Sequence, residues 1–526
     1  MSLTLSPEIL QQVRAEFDPD FYLAANKDVA EAGADPFQHF LIFGAGEGRD
    51  PRPDFSMGRY LALHLDVREA GVNPFVHWVT SGRAEGRATD HGLGFQYEVL
   101  WADKPIEERM RALRLAQPDR APDPAQTLSD AANRLAPGRG IHVTVSHDDY
   151  SRGVGGVQLC IRLEAEALAR RGTDHLHLFP SSAGVMVDVE RETPTLGVLL
   201  NGTLTGHFTP ETVAEALAPA LAGRRITVSI HSLIGHPVER TCDMLAALGV
   251  TEGFFWLHDY ASLCAGYALM RDDVAFCGAP SPDSAACEIC SYGRRRRIQL
   301  PAHVEVFQRF ALTVVAPSQV ALDLWSHRFP VRPAASVVHP HARLEPRPVQ
   351  PSPSVPSADR PLRVGFLGMP SLHKGWPIFA DLVRRFAADD RYEFHHLSAV
   401  EDPRVPARFT RVAPTPDQPQ PMIPAIEALD LDAVVLWALW PETFCIAAHE
   451  AVAAGAAILT HTGSGNVAAF VAGEATRGQV LPDEASLRAL FASREVATLS
   501  RANRKPVLHD LVFSGMVADL IPEAAT

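Results

Sequence analysis

The chain holds 526 residues, 46% apolar and 21% charged, with a formal net charge of -14. That length exceeds one hydrophobic core and suits about three domains. The acidic balance argues against a general nucleic-acid binder, and no apolar run reaches the roughly 18 residues of a membrane-spanning helix.

The opening "MSLTLSPEIL" lacks the basic and apolar regions of a signal peptide, so the cytoplasm is the expected compartment. Seven cysteines, four of them clustered, do not read as a secreted disulfide framework. An internal repeat follows: "FDPDFYLAANKDVAEAGADPFQHFLIFGAGEGR" from Phe17 and "FSMGRYLALHLDVREAGVNPFVHWVTSGRAEGR" from Phe55. The 38-residue offset matches Tyr22 with Tyr60, Asp28 with Asp66, Pro36 with Pro74, His39 with His77 and Gly44 with Gly82. Each unit reads as a helix, an Ala-Gly stop, an Asp/Asn-Pro restart, a second helix and a Gly stop. Residues 1–97 are therefore expected to form a small all-α module for docking or interaction, its aromatic stripe and histidines serving packing.

A polar, Pro-rich arm occupies 98–139. Strand-like runs then alternate with helical ones: 141–147, 195–200, 226–231, 253–258 and 312–317, with an amphipathic helix over 157–172. A second Pro-rich linker, 345–361, separates this half (140–344) from another (362–526), whose strand-like runs are 362–368, 392–398, 432–438 and 456–461. Alternation on both sides of a linker predicts two doubly wound α/β domains facing each other, with ligands at the carboxyl ends of the strands.

The motifs lie just after strands. In "SRGVGGVQ" (151–158), Gly155 and Gly156 either open a helix N-terminus to an anion or merely permit a tight turn. In "GMPSLHKGW" (368–376), Lys374 is either a phosphate-neutralising cation or an exposed loop lysine. In "WPETFCIAAHEAVAAG" (440–455), Glu442 stands at a strand-to-helix turn and Glu450 a little over two turns further, on roughly the same side. The amides of Thr443, Phe444 and Cys445 are expected as the unpaired first-turn donors. The plain alternative is an acidic first turn favoured by the helix dipole plus one solvated glutamate.

"GVGG", "WLHDY" (256–260), the Lys-Gly turn and "PETFCIAAHEAVAAG" with its E-x7-E together resemble a retaining glycosyltransferase of the GT-B fold, family 4 (glycosyl transferases group 1), over about residues 140–500. The resemblance implies two Rossmann-like domains across a cleft, a nucleotide-sugar donor held by the second and an acceptor held mostly by the first. It implies that Lys374 binds the donor diphosphate, that Glu442 and the following amides hold the transferred sugar, and that Glu450 holds the ribose. It makes His258 the cleft histidine beside the donor sugar, and Gly155 and Gly156 the turn closing on diphosphate and acceptor. Hexosyl transfer with retention and without a metal is implied, to a polysaccharide, glycolipid or glycoprotein acceptor. Two departures stand out. Met369 replaces the usual arginine, leaving His373, Arg404, Arg408 or Arg411 as substitutes for the second phosphate clamp, and Cys445 replaces a usual glycine. These departures keep a rival open: a catalytically weak or inactive sugar-nucleotide-binding scaffold acting through its repeats. A sugar-nucleotide epimerase is disfavoured by the E-x7-E frame.

Asp430-Leu431-Asp432 is a formal D-x-D, read here as the entry to a strand. Cys264, Cys277, Cys287 and Cys290 follow "WLHDY" with one C-x2-C pair; structural zinc, disulfides and free thiols are the three readings. "RRRR" (294–297) reads either as a contact for anionic lipid at the inner face of the membrane or for acceptor phosphates, or as a solvated basic turn. A homodimer through the repeats completes the expectations.

Overall fold

The computed structural model describes residues 5–102, 104–116, 120–153, 155–348, 360–415, 418, 420–497 and 507–522. Most of the Pro-rich stretch 345–361 therefore lies outside the described residues, as do 117–119 of the arm and Val154 of the glycine turn.

The first large sheet contains β1 (Ile141–Val145), β2 (Asp174–Pro180), β3 (Leu196–Leu200), β4 (Thr203–Phe208), β5 (Ile226–Ile230), β6 (Glu252–Trp256), β7 (Ala311–Ala316) and β8 (Ala335–Val338). Their spatial order is β8-β7-β6-β5-β1-β2-β3-β4, parallel except where β3 and β4 fold back antiparallel at one edge. The crossover strand β9 (Ala342–Pro346) leads to the second sheet: β10 (Leu362–Leu367), β11 (Tyr392–Ser398), β12 (Arg408–Arg411), β13 (Ala433–Val435), β14 (Ala457–His461) and β15 (Gly478–Leu481). Its order, β12-β11-β10-β13-β14-β15, is parallel throughout. Both sheets change direction beside their first strand, β1 or β10, and that switch point is where α/β folds open a crevice. The chain thus has the GT-B architecture: two doubly wound domains across a cleft, preceded by helices.

The last described strand, β16 (His509–Phe513), pairs antiparallel with β9. The chain then returns to the first domain. Met516, Val517 and Ala518 are fully buried in a short 3-10 turn packed on helix Gly156–Arg170, and Arg171 donates to Ile521 O at 3.1 Å. Two crossings therefore join the domains.

The 38-residue units show corresponding elements, more finely divided than two helices each. Helices Pro19–Ala25, Lys27–Glu31 and Pro36–His39 run into a π-helical turn, Phe40–Gly44; helices Met57–Leu63, Leu65–Ala70 and Pro74–His77 run into Trp78–Gly82. The tyrosines explain the π-turns. Tyr22 and Tyr60 are fully buried, each with its hydroxyl 3.0 Å from the Nδ1 of His39 or His77. A Cβ on Gly44 or Gly82 would fall 2.0 or 2.2 Å from that hydroxyl, so the widened turn and its glycine make room for the ring. The module leans on the second domain: Phe95 packs against that domain's core, while Arg59 pairs with Glu98 at 2.7 Å beside Asp381. The arm helix Ile106–Ala116 packs instead on the cysteine-rich loop, where Arg295 reaches Glu107 at 3.1 Å.

Candidate functional site

Period-2 alternation builds a polar layer inside the first domain. Along β1, Ile141, Val143 and Val145 face one apolar core while His142 and Thr144 face the other side. The register sets His142 opposite His175 and Thr227, and Thr144 opposite His177 and Ser229. Glu164, from helix Gly156–Arg170, descends onto this layer fully buried. Its carboxylate accepts from Thr144 Oγ1 and Ser229 Oγ, both at 2.9 Å, from His231 Nε2 at 3.2 Å and from the Val517 amide at 3.3 Å. Burial opposes its ionisation, but His231 and His142 outweigh that and hold the carboxyl well below its usual range. His231 Nδ1 lies 2.8 Å from His258 Nε2, so a continuous chain runs from Glu164 to the cleft. Burial, with His231 and His341 beside it, pushes His258 well below its usual value and keeps it neutral.

A cavity of about 1020 Å³ fills the switch points between the domains, lined by Gly155, Gly156, His258, His373, Lys374, Glu442, Thr443, Phe444 and Cys445 among others. Two helix N-termini meet there: a Cβ on Gly156 would stand 4.0 Å from Ile446 Cδ1 on the opposite wall.

Lys374 ends the 3-10 turn after β10, and Gly375 then takes φ +84°. A Cβ at Gly375 would lie 1.9 Å from Trp437 O, so only glycine lets this turn press against the end of β13. The contact delivers Lys374 Nζ to Glu442 Oε1 at 2.6 Å, and Trp440 Nε1 donates to the same oxygen at 3.0 Å. Burial alone lowers the ammonium's pKa, but Glu442 reverses this and holds it above its ordinary value. His373 is pushed down to about 4 by burial and by Lys374, so it serves as a neutral group.

The loop carrying Glu442 is braced from the first domain. Tyr260 OH donates to Pro441 O at 3.1 Å, Thr443 Oγ1 to His258 O at 2.8 Å, and Ser318 Oγ to Thr443 O at 2.6 Å. Bracing corrects one expectation. Residues 442–445 are not helical, and helix Ile446–Ala453 begins only after Cys445, so its opening donors start at Ile446 and not at Thr443. Cys445 sits at φ +67°, a left-handed conformation that explains why glycine suits the position. Phe444 turns inward, stacked 4.2 Å from His449.

Glu450 lies deeper on that helix, half-buried, and does not line the cavity. No hydrogen bond or ion pair reaches its carboxylate among the described residues, and burial alone pushes it up to about 7.

The substitutes for the missing arginine fare differently. Arg404 pairs with Asp402 at 2.8 Å and Arg408 with Glu393 at 3.0 Å, and none of Arg404, Arg408 and Arg411 lines the cavity, whereas His373 does. The second lining cation is Arg109, a residue sequence reasoning missed. It reaches in from the arm, 5.1 Å from the Tyr292 ring centre and 3.1 Å from Asp273, with its Nε and one terminal nitrogen buried without a hydrogen-bond partner. Its signal was hidden because "RMRALRLA" reads as any exposed helical face.

None of the remaining motifs lines the cavity. Asp432 is buried and binds Arg360 at 2.7 Å, shared with Asp430 at 3.0 Å. The four arginines open helix Gly293–Arg309: Arg296 is buried and donates to Leu263 O at 2.9 Å, Arg295 pairs with Glu107 and Glu190, and Arg294 and Arg297 are exposed. Cys264, Cys277, Cys287 and Cys290 form no disulfide. Their sulfurs do not converge as a ligand set among the described residues, and Cys287 Sγ accepts from Arg296 at 2.9 Å.

The fold and cleft define a two-domain α/β protein of the GT-B class. No family model and no curated protein matches the sequence. Solved structures with similar folds include sucrose-phosphate synthase from Thermosynechococcus elongatus (14% identity, TM-score 0.44, covering 70% of this chain and 94% of that one). Anabaena HepE, solved with UDP and glucose, gives 12%, 0.42, 70% and 93%. A glycosyltransferase from Rickettsia africae gives 11%, 0.42, 70% and 93%. Similarity at this level carries no chemistry, which rests on the residues of the cleft. No described helix is long and apolar enough to cross a membrane.

Proposed function

We propose that the protein is a retaining glycosyltransferase of the family 4 type, moving a hexosyl group from a nucleotide-sugar to a glycan, lipid-linked or protein acceptor. The observation that carries this reading is the Lys374–Glu442 pair at 2.6 Å, set on the rim of an interdomain cavity between two helix N-termini. Diphosphate needs fixed positive charge and amide donors; Lys374, the amides from Ile446 and the opening of helix Gly156–Arg170 supply both. Glu442 keeps one carboxylate oxygen for a sugar hydroxyl while the other holds Lys374. Glu450, its carboxylate unpartnered though set back from the cavity lining, is assigned the ribose, and His258, fixed from behind, the donor sugar.

In the reaction the bond from the anomeric carbon to the diphosphate oxygen breaks as the acceptor oxygen bonds to the same face. The acceptor proton passes to the departing phosphate. Charge builds on that phosphate, where Lys374 and the helix amides stand, so the step needs no metal. Arg109 and the neighbouring Asp273 lie on the first-domain side, at the place assigned to the acceptor.

Binding and hydrolysis of a panel of labelled nucleotide-sugars by the purified full chain test the reading. Saturable binding with slow hydrolysis, lost in Lys374→Ala, is the expected result. Binding without hydrolysis favours the scaffold reading, for which Met369, half exposed in place of an arginine, is the specific observation. No binding to any member of the panel overturns both.

A further inference from the structure

We propose that Cys160, His258 and His341 form a binding site for one divalent metal ion of the zinc class, where the interdomain crossover meets the first α/β domain. Their ligand atoms all lie within 4.8 Å of one another, and no other group of three or more His, Cys, Asp or Glu converges so among the described residues. The three come from separate elements: Cys160 from helix Gly156–Arg170, His258 from the loop after β6, and His341 from the residue before β9. Only tertiary folding brings them together.

Two observations point to a ligand. His341 is 4% exposed, and its Nδ1 is buried with no hydrogen-bond partner. The second is the chain behind His258. The Glu164 carboxylate accepts from His231 Nε2–H, which in a neutral imidazole leaves Nδ1 as acceptor. His258 then donates through Nε2–H at 2.8 Å, and its Nδ1 keeps a free lone pair. A histidine oriented through its far nitrogen by a carboxylate-anchored partner is the usual outer shell of a metal-ligating imidazole. One sulfur and two imidazole nitrogens suit zinc or cobalt, with bonds of about 2.0–2.3 Å, and leave a fourth position for water.

Binding is balanced by proton release. The Cys160 S–H bond breaks, sulfur bonds the metal, and the proton leaves to solvent. Because the proton is released on binding, affinity rises with pH. The site shares His258 with the cleft. Its effect is to pin the crossover, because the Ser514 amide, on the returning chain, donates to His341 O at 2.9 Å.

Cobalt(II) titration of the full-length, metal-stripped protein tests this. The expected result is an equimolar tetrahedral cobalt spectrum with a thiolate charge-transfer band. The band disappears in Cys160→Ser, and affinity falls about tenfold or more in His341→Ala. It persists when Cys264, Cys277, Cys287 and Cys290 are all changed to Ser, and circular dichroism checks each variant's fold. No band in the wild-type protein overturns the proposal. So does a band retained in Cys160→Ser, or one lost only in the loop variant. If Cys160→Ser fails to fold, the wild-type titration and His341→Ala still decide it.

Discussion

The two α/β domains solve the same topological problem with opposite interiors. Behind β10, β13 and β14 the second domain packs Val364, Phe366, Val435 and Leu459 in an apolar core; its buried polar groups, such as His395, His396 and Asp432, form no hub around one carboxylate, and Lys374 and Glu442 meet at the cleft. The first domain carries a histidine, serine and threonine layer behind β1, gathered around one carboxylate, Glu164. An apolar frame tolerates change at its rim. A buried ionic hub does not, because removing one partner strands the others without water. One domain thus presents ligand groups, and the other fixes a single histidine, His258, from behind.

The largest effect expected from this contrast is at the hub. Glu164→Ala should cost about 3–5 kcal/mol, because it strands the buried donors of Thr144, Ser229 and His231 at roughly 1–3 kcal/mol each, measured by chemical denaturation. Glu164→Gln, which keeps the shape and some hydrogen bonds, should cost less. A wild-type midpoint for Glu164→Ala would erase the difference between the domains.

At the opposite rim, changes should spare the fold and strike the chemistry. Lys374→Ala and Glu442→Ala should each lower turnover by about 10²–10³, with a smaller loss of stability than Glu164→Ala. Single-turnover kinetics on whichever nucleotide-sugar binds checks this, and loss of folding instead would place the pair in the core's economy.

Glu450 offers a pH test. Its folded pKa of about 7 lies above the ordinary 4.5, so protonation favours the folded form. That contribution is full below about pH 4.5 and is lost as pH rises through about 7. Nucleotide affinity should run the other way, rising through pH 7 as the carboxylate becomes an acceptor for ribose hydroxyls. Glu450→Gln should flatten both profiles, and a wild-type pH profile in that variant would remove Glu450 from the donor site.

The smallest effect is expected at Cys445. Glycine there relieves a left-handed conformation, so Cys445→Gly should stabilise the chain by at most about 1–2 kcal/mol. Thermal melts check it, and destabilisation would mean that thiol packing outweighs the backbone strain.

Much of the architecture was legible in the sequence. Short β-rich runs alternating with helical ones located β1, β5, β6, β7, β10, β11 and β14 to within a residue or two, because strands buried on both faces read as compact apolar blocks. Lys374, Glu442 and Cys445 fall at the cleft because topology sends residues that follow parallel strands to one edge. Less legible were β2, whose "DHLHLFP" carries histidines, and the crossover strands β9 and β16, which only pairing with each other makes strands.

Tertiary structure alone decided the rest. Local pattern started the helix after Glu442 too early, since the first domain holds residues 441–443 through Tyr260, Ser318 and the His258 carbonyl. Arg109 reaches the cavity because its helix docks on a loop some 160 residues further along the chain. The meeting of Glu164, His231, His258, His341 and Cys160 depends on strand register and on the crossover, and neither leaves a periodic trace. Short-range patterning dictates which elements form and which edge they present. Long-range contacts choose which polar groups share a buried space, because their energies arise only when water has been excluded from between them.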